Sequence, residues 1–195
     1  MWKEKFANKT KMVAWFVSHC NIQSRREEYA AELSKYIQVD VYGKCGKLKC
    51  EDRGKCARML DTEYKFYLSF ENSFCVDYVT EKLLNILEKN TLIPVVRGGA
   101  DYKKLFPPNS VIDTKDFSSP KDLAKYLTEL ANNEEEYVKK LQWSWDYDVL
   151  GYKLPLCAIC RELHTPRPLA CVYDNVTNWW FNGTCYPPRD LTFNV

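Results

Sequence analysis

With 195 residues, 46% of them hydrophobic and 28% charged, the chain is long enough to bury a core as one domain of ordinary size. A formal net charge of +2 supplies no broad basic field for nucleic acid or an anionic membrane, so partners must be argued from local sites. No apolar run approaches the roughly 18 residues that a membrane span needs, and the N-terminal MWKEKFANKTK lacks a signal-peptide core.

Residues 12–18 (MVAWFVS) form a continuous apolar run of strand length, as expected of a parallel strand covered on both faces. Ser24 and Glu27 then make a capping-box pair ahead of Tyr29, Ala30, Leu33, Tyr36 and Ile37 at helical spacing. Residues 39–43 (VDVYG) supply a second strand and complete a βαβ unit. The charged, Cys-rich residues 44–60, broken by Gly46 and Gly54, read as a loop stapled by disulfides. Residues 64–70 (YKFYLSF) predict a third strand, and Val79, Leu83, Leu84, Ile86 and Leu87 predict a helix over 78–90 with Asp77 as N-cap.

Residues 92–96 (LIPVV) make strand four, ended by Gly98 and Gly99, and residues 111–114 a short fifth strand. Ser119, Pro120 and Asp122 open a helix carrying Leu123, Tyr126, Leu127 and Leu130, and a further helix covers about 133–145. The alternation predicts an α/β fold, a Rossmann-like parallel sheet with helices on both faces, over residues 12–148. Residues 149–195 change to Pro, Cys, Trp and Asn without periodicity and read as an irregular Cys-rich tail.

Nine cysteines, with Cys45, Cys50 and Cys56 in one group and Cys157, Cys160, Cys171 and Cys185 in another, predict local disulfides in an oxidising compartment. The odd number leaves at least one without a partner in the chain. Glycosylation sequons at Asn8, Asn175 and Asn182 point the same way.

In an open α/β sheet, ligands bind beyond the carboxyl ends of the strands, where helix N-termini present free N–H groups. Two such junctions carry bases in the first helical turn: Arg25 and Arg26 after strand one, and Lys82 after strand three. The helix dipole disfavours a cation there by about 0.3 to 1 kcal/mol unless an anion is shared with the helix end. A phosphate-bearing ligand satisfies that condition; solvated cations offset by Glu27 and Glu81 satisfy it equally. There is no GxGxxG and no P-loop lysine signature, so side chains and helix ends would hold any nucleotide. Glu71, Asn72 and Ser73 place a carboxylate and an amide at the edge of strand three, suited to sugar hydroxyls or to turn formation.

These residues carry a resemblance. FYLSFENSFCVDYVTEK followed by LLNILEKNTLIPVVRGG resembles the donor-binding signature of the α1,3-fucosyltransferases, glycosyltransferase family ten, inverting enzymes that use GDP-fucose. KTKMVAWFVSHC, RREEYAAELSKYIQVDVYGKCG, VIDTKDFSSPKDLAKYLTEL and the tail with CAIC, WW and a late Cys extend it over nearly the whole chain. The Cys-rich loop after YGKCG and the tail look more like the core type, which modifies the innermost GlcNAc of N-glycans.

The resemblance implies the donor half of a two-domain GT-B enzyme, with residues 1–11 a linker from an N-terminal acceptor domain that is missing here. It also implies a Golgi lumenal setting within a single-pass type II membrane protein, whose anchor lies outside this chain. Arg26 and Lys82 would bind the diphosphate, Asn72 and Tyr78 would line the nucleotide pocket, Glu81 would meet ribose or fucose hydroxyls, and Glu71 belongs to the motif. Arg25 is the alternative to Arg26, one residue away. His19 stands where the family usually has Asn, which bears on a first-strand contact to the donor. The acceptor would be an N-glycan or another GlcNAc-containing glycan; no cofactor and no divalent metal are implied. No catalytic base is evident in this chain, the family's being a carboxylate of the N-terminal domain, so this half alone is expected to be inactive.

Two further patterns compete. Asp146-Tyr147-Asp148 matches a DxD metal motif without a preceding strand. Cys157-x-x-Cys160 with His164 and Cys171 or Cys185 could form a tetrahedral zinc site, which would make the chain a non-catalytic secretory binding module stabilised by disulfides or zinc.

Overall fold

The computed structural model describes residues 6–89, 91–149, 155–165 and 172–191. Five parallel strands form the central sheet: β1 (Lys11–Phe16), β2 (Val39–Tyr42), β3 (Tyr64–Phe70), β5 (Ile93–Arg97) and β6 (Ile112–Asp113). Their order is β2-β1-β3-β5-β6. The α/β expectation therefore holds, and the order reverses between β1 and β3, which is the topological switch point of such a sheet.

Alternation along β1 sends Val13 and Trp15 to one face and Ala14 and Phe16 to the other. The first face packs under α1 (Arg26–Leu33), α5 (Pro120–Ala131) and α6 (Glu134–Lys139), through Tyr29, Leu33, Leu123, Leu127 and Tyr137. The second packs under α2 (Arg53–Glu63) and α3 (Glu81–Lys89), through Leu60 and Ile86. Strand β3 is buried on both faces, and its aromatic side chains fill both layers. Ser119 accepts the Asp122 amide as N-cap of α5, with Pro120 at the first helical position, as its sequence predicts.

Several local expectations change. Within the stretch read as a loop, Asp52 caps α2 by accepting from the Gly54 and Lys55 amides. Ser24 and Glu27 do not form a capping box: the residue before α1 is Arg25, in the left-handed region at φ 47°, and Glu27 accepts the Asn21 amide instead. The helix expected over 133–145 is α6 followed by a 3₁₀ turn, Gln142–Trp145. A short α4 (Tyr102–Leu105) follows β5. The tail is more ordered than its composition suggested, with α7 (Pro155–His164), α8 (Val176–Phe181) and β7 (Cys185–Tyr186). Strand β7 pairs antiparallel with β4 (Phe74–Cys75), which lies in the segment after β3.

Disulfides join Cys20–Cys45, Cys50–Cys56 and Cys75–Cys185. Cys185 is thus tied to β4, in the segment after β3, and not to its tail neighbours, and Cys157 and Cys160 are free, exposed thiols. Cys171 lies outside the described residues. Among those residues no helix is long and apolar enough to cross a membrane.

Burial pushes the Tyr67 hydroxyl up to about 12 from 10.0. The folded value lies above the unfolded one, so this stabilisation is full below pH 10 and is lost as pH rises towards 12. At about 1.4 kcal/mol per unit the loss is about 2 to 3 kcal/mol. Burial of Tyr29, Tyr64, Tyr102 and Tyr137 acts in the same direction. Urea denaturation over this range should show the combined decline, and Tyr67→Phe should lessen it by about 2 to 3 kcal/mol, its own share.

Candidate functional site

The sequence-predicted ligand residues fall on the two segments that leave the sheet at the switch point, or in the first turns of the helices these segments lead into. Residues 17–25 follow β1 and lead to Arg26 in α1, and residues 71–80 follow β3 and lead to Glu81 and Lys82 in α3. The chain turns away on opposite sides there, so a crevice opens between them. The Ser24 amide donates to the Asn72 carbonyl at 3.2 Å and joins the two segments at the crevice floor. Asn21, Arg25 and Asp77, three of the four non-glycine residues at positive φ among the described residues, lie in these segments. Such conformations cost about 1 to 3 kcal/mol each and collect at ligand sites.

The left-handed turn at Arg25 separates the two arginines. Arg25 points to solvent and is held by Glu28, its Nε donating at 2.7 Å. Arg26 points inward and is 2% exposed. Its Nη1 donates to the Phe70 carbonyl at 2.8 Å and its Nη2 to the His19 carbonyl at 2.9 Å. The guanidinium therefore closes the end of β3 against the loop after β1, and its Nε has no partner. His19 takes part through its backbone, so the imidazole in place of a carboxamide leaves this contact unchanged. Of the two cations, Arg26 belongs to the crevice.

Glu71, 1% exposed, stands at the centre of the second segment. Its Oε1 accepts from the Thr80 amide at 2.8 Å, its Oε2 from the Thr80 hydroxyl at 2.8 Å and from Lys82 Nζ at 3.2 Å. Lys82 Nζ also donates to Thr80 Oγ1 at 2.7 Å. A strand-borne carboxylate thus engages the turn that starts α3, the task expected of Asp77. Asp77 instead occupies a left-handed turn and is exposed. The Lys82 side chain is 24% exposed, and Glu81 lies 3.8 Å from it at the more open rim. A cleft of about 340 Å³ opens beside them, walled by Phe16, Tyr67, Arg53 and Asn85.

The groups share one electrostatic neighbourhood. Burial pushes the Arg26 guanidinium below its ordinary range, against the pull of Glu27 and Glu71. Burial, Glu71 and Glu81 push the Tyr78 phenol up, and Arg26 opposes them. Ser24 Oγ, Arg26 Nε and Asn72 Oδ1 are buried without a hydrogen-bond partner. Unmet polar atoms cost about 1 to 3 kcal/mol each, and a polar ligand or water on the crevice floor would relieve them. With Lys82 at the start of α3, they make a site for an anion bearing hydroxyl or amide groups.

Two contributors escaped the sequence reading. Thr80, directly before Glu81, was legible as a hydroxyl residue at a helix start. Arg97, a cation closing an otherwise apolar strand, was visible as an anomaly, but its partners are remote in sequence.

Among the described residues the competing patterns do not assemble; Cys171, the other candidate for the zinc pattern, lies outside them. Asp146, Tyr147 and Asp148 are exposed after a 3₁₀ turn, while Trp143 packs in the core with Leu83 and Leu87. Among the described residues, the one Cys/His/carboxylate group compact enough to hold an ion is Cys20, Glu27 and Cys45, two of which are joined as a disulfide. Cys160 and His164 adjoin on α7, but Cys185 is committed to Cys75. Asn8, Asn175 and Asn182 are exposed, and Asn175 also caps α8.

Residues 6–179 match the model of the family described as glycosyltransferase family 10 (fucosyltransferase), C-terminal. Alpha-(1,3)-fucosyltransferase C of Drosophila melanogaster is 47% identical over 182 residues, 91% of this chain and 42% of that protein. Alpha-(1,3)-fucosyltransferase fut-1 of Caenorhabditis elegans is 42% identical over 199 residues, 96% of this chain and 46% of that protein. A crystal structure of an α1,3-fucosyltransferase with GDP-fucose superposes with a TM-score of 0.58 at 26% identity, covering 71% of this chain and 44% of that one. The chain spans less than half the length of these relatives.

Removing the carboxylate from this network should be costly. Glu71→Ala leaves the Thr80 amide without its acceptor and Lys82 without its buried carboxylate partner, and is expected to destabilise the fold by about 3 to 5 kcal/mol. Glu71→Gln keeps an acceptor and should cost about 1 to 3 kcal/mol. Urea denaturation of both variants checks the order and the size.

Proposed function

We propose a function from one premise: this chain belongs to glycosyltransferase family 10, the fucosyltransferases. It is the GDP-fucose-binding half of an α1,3-fucosyltransferase, and the crevice between the β1 and β3 segments receives the donor's diphosphate. The observation that carries this reading is the convergence of Arg26 and Lys82, from two helix starts, on one switch-point crevice whose buried polar atoms are unmet.

Fucose transfer with inversion breaks the bond between the sugar's anomeric carbon and the β-phosphate oxygen while a GlcNAc hydroxyl attacks from the opposite face. Negative charge grows on the departing GDP. Lys82 and the first amides of α3 stabilise it, and Arg26 fixes the floor on which the phosphates rest. Glu81, at the exposed rim, meets ribose or fucose hydroxyls, and Asn72 and Tyr78 line the nucleotide side. Glu71 does not serve as the base. It is buried, and both its oxygens are engaged with Thr80 and Lys82. The base belongs to an acceptor domain joined through residues 1–11, so residues 12–148 with the tail 149–195 bind donor without transferring it. Divalent metal is not required, because fixed cations offset the leaving-group charge.

The acceptor is a GlcNAc-containing glycan, with the core of an N-glycan favoured by the Cys-rich segment after β2. Three disulfides and three sequons suit the Golgi lumen. The membrane is reached through an anchor outside these residues.

Calorimetry of the chain with GDP tests the assignment. Wild type should bind, and Lys82→Ala, losing a charge-assisted contact, should bind about ten- to a hundredfold more weakly. A folded wild type that does not bind GDP sinks the reading. Fucose transfer to a GlcNAc acceptor by the chain alone should be undetectable, and measurable turnover would place the base within these residues.

A further inference from the structure

We infer that Arg97 and Asp190 are positioning residues for the crevice: the pair fixes the β1 and β3 segments relative to one another, so that Arg26 and Lys82 can share one anion. This rests on the diphosphate reading above. Arg97 ends β5 and is fully buried. Its Nη1 donates to the Ser24 carbonyl at 2.8 Å, immediately before the Arg25–Arg26 turn. Its own carbonyl accepts the Glu71 amide at 2.9 Å. One residue thereby holds both walls of the crevice, by its side chain on one and its backbone on the other.

The guanidinium lies 4.9 Å from the ring centre of Tyr29, in the first turn of α1, and 4.8 Å from that of Phe74, on β4. Phe70 adds a third ring at 6.0 Å. A buried cation with only a carbonyl and rings around it would be poorly compensated. Asp190 completes it with a bidentate pair, Nε to Oδ2 at 2.6 Å and Nη2 to Oδ1 at 2.7 Å, across 93 residues of sequence. Asp190 is brought there by β7, which pairs with β4, is bonded through Cys75–Cys185, and accepts the Val76 amide at the Thr184 carbonyl, 2.8 Å away. The C-terminal segment thus acts as a strap. Its own contacts fall on Phe74, Cys75, Val76 and Arg97, and through Arg97 they reach the Ser24 carbonyl and the Glu71 amide that frame the crevice.

The test compares wild type with Asp190→Ala and Asp190→Asn in the whole chain. GDP binding is measured by calorimetry well below each melting midpoint, together with hydrogen exchange of the amides in residues 19–26 and 71–80. Asp190→Ala should weaken GDP binding about tenfold or more and speed exchange in both segments. Asp190→Asn, which keeps an acceptor oxygen, should recover most of the affinity. Asp116→Ala, which breaks the exposed pair with Lys103, serves as the control and should change neither. A lower melting temperature with affinity and exchange unchanged means that the pair is merely structural and overturns the inference, while leaving the diphosphate reading intact. If Asp190→Ala does not fold, Asp190→Asn decides: a residual loss of affinity with faster exchange in both segments supports the inference, and wild-type affinity with wild-type exchange overturns it. If wild type does not bind GDP, the diphosphate reading fails and takes with it the shared anion, whatever the exchange shows.

Discussion

A carboxylate buried at the end of a strand costs several kcal/mol unless donors meet it, and the donors that meet Glu71 all come from one short turn. Thr80 supplies an amide and a hydroxyl, Lys82 an ammonium. The carboxylate thereby sets where α3 begins and where its first cation points. Ser69 adds a backbone tether, its hydroxyl reaching the Lys82 carbonyl at 3.4 Å. Lys82 is held through a strand and not only through its own flexible helix end, so its side-chain entropy is spent in folding and not again on a ligand.

The sheet supplies the rigidity this arrangement needs. Strand β3 lies between β1 and β5, and its aromatic residues serve both helical layers. Arg26 hydrogen-bonds to the last carbonyl of that strand, and Glu71 is the next residue. The two cations of the crevice are therefore referred to the same few atoms of β3. A displacement of that strand end would move both together, whereas a displacement of either helix alone would not.

What was legible in the sequence follows from the range of the forces involved. Strand β3 is legible to the residue because its aromatic composition and the polar break after it are local, and the same holds for Ser119 and Pro120 at α5; the helix after β3 starts at Glu81 and not at 78, because Glu71 and not Asp77 accepts an amide of the turn before it. The first helix was placed correctly, but its start was misassigned because Glu27 prefers the Asn21 amide to a box with Ser24. Helix α2 was missed because Gly54, Cys56 and a run of charges outweigh its one local signal, Asp52 at the N-cap. Arg26 and Lys82 could be singled out as cations in a locally unfavourable place. Arg97 with Asp190 and Cys75 with Cys185 could not, since nothing in a local pattern names a partner 93 or 110 residues away.

The Cys75–Cys185 link also bears on how the protein is made. It closes a covalent ring that encloses α3, β5, β6, α5 and α6, and its second cysteine emerges from the ribosome 110 residues after its first. Through that interval Cys75 lacks its final partner, while Cys20, Cys45, Cys50 and Cys56 have already emerged and can form their own short loops. The order of synthesis thus favours the pairs that brace the edge of the sheet and postpones the one that completes the crevice. A chain that stops short of Cys185 carries the strands of the central sheet and both cations but none of the covalent closure around them.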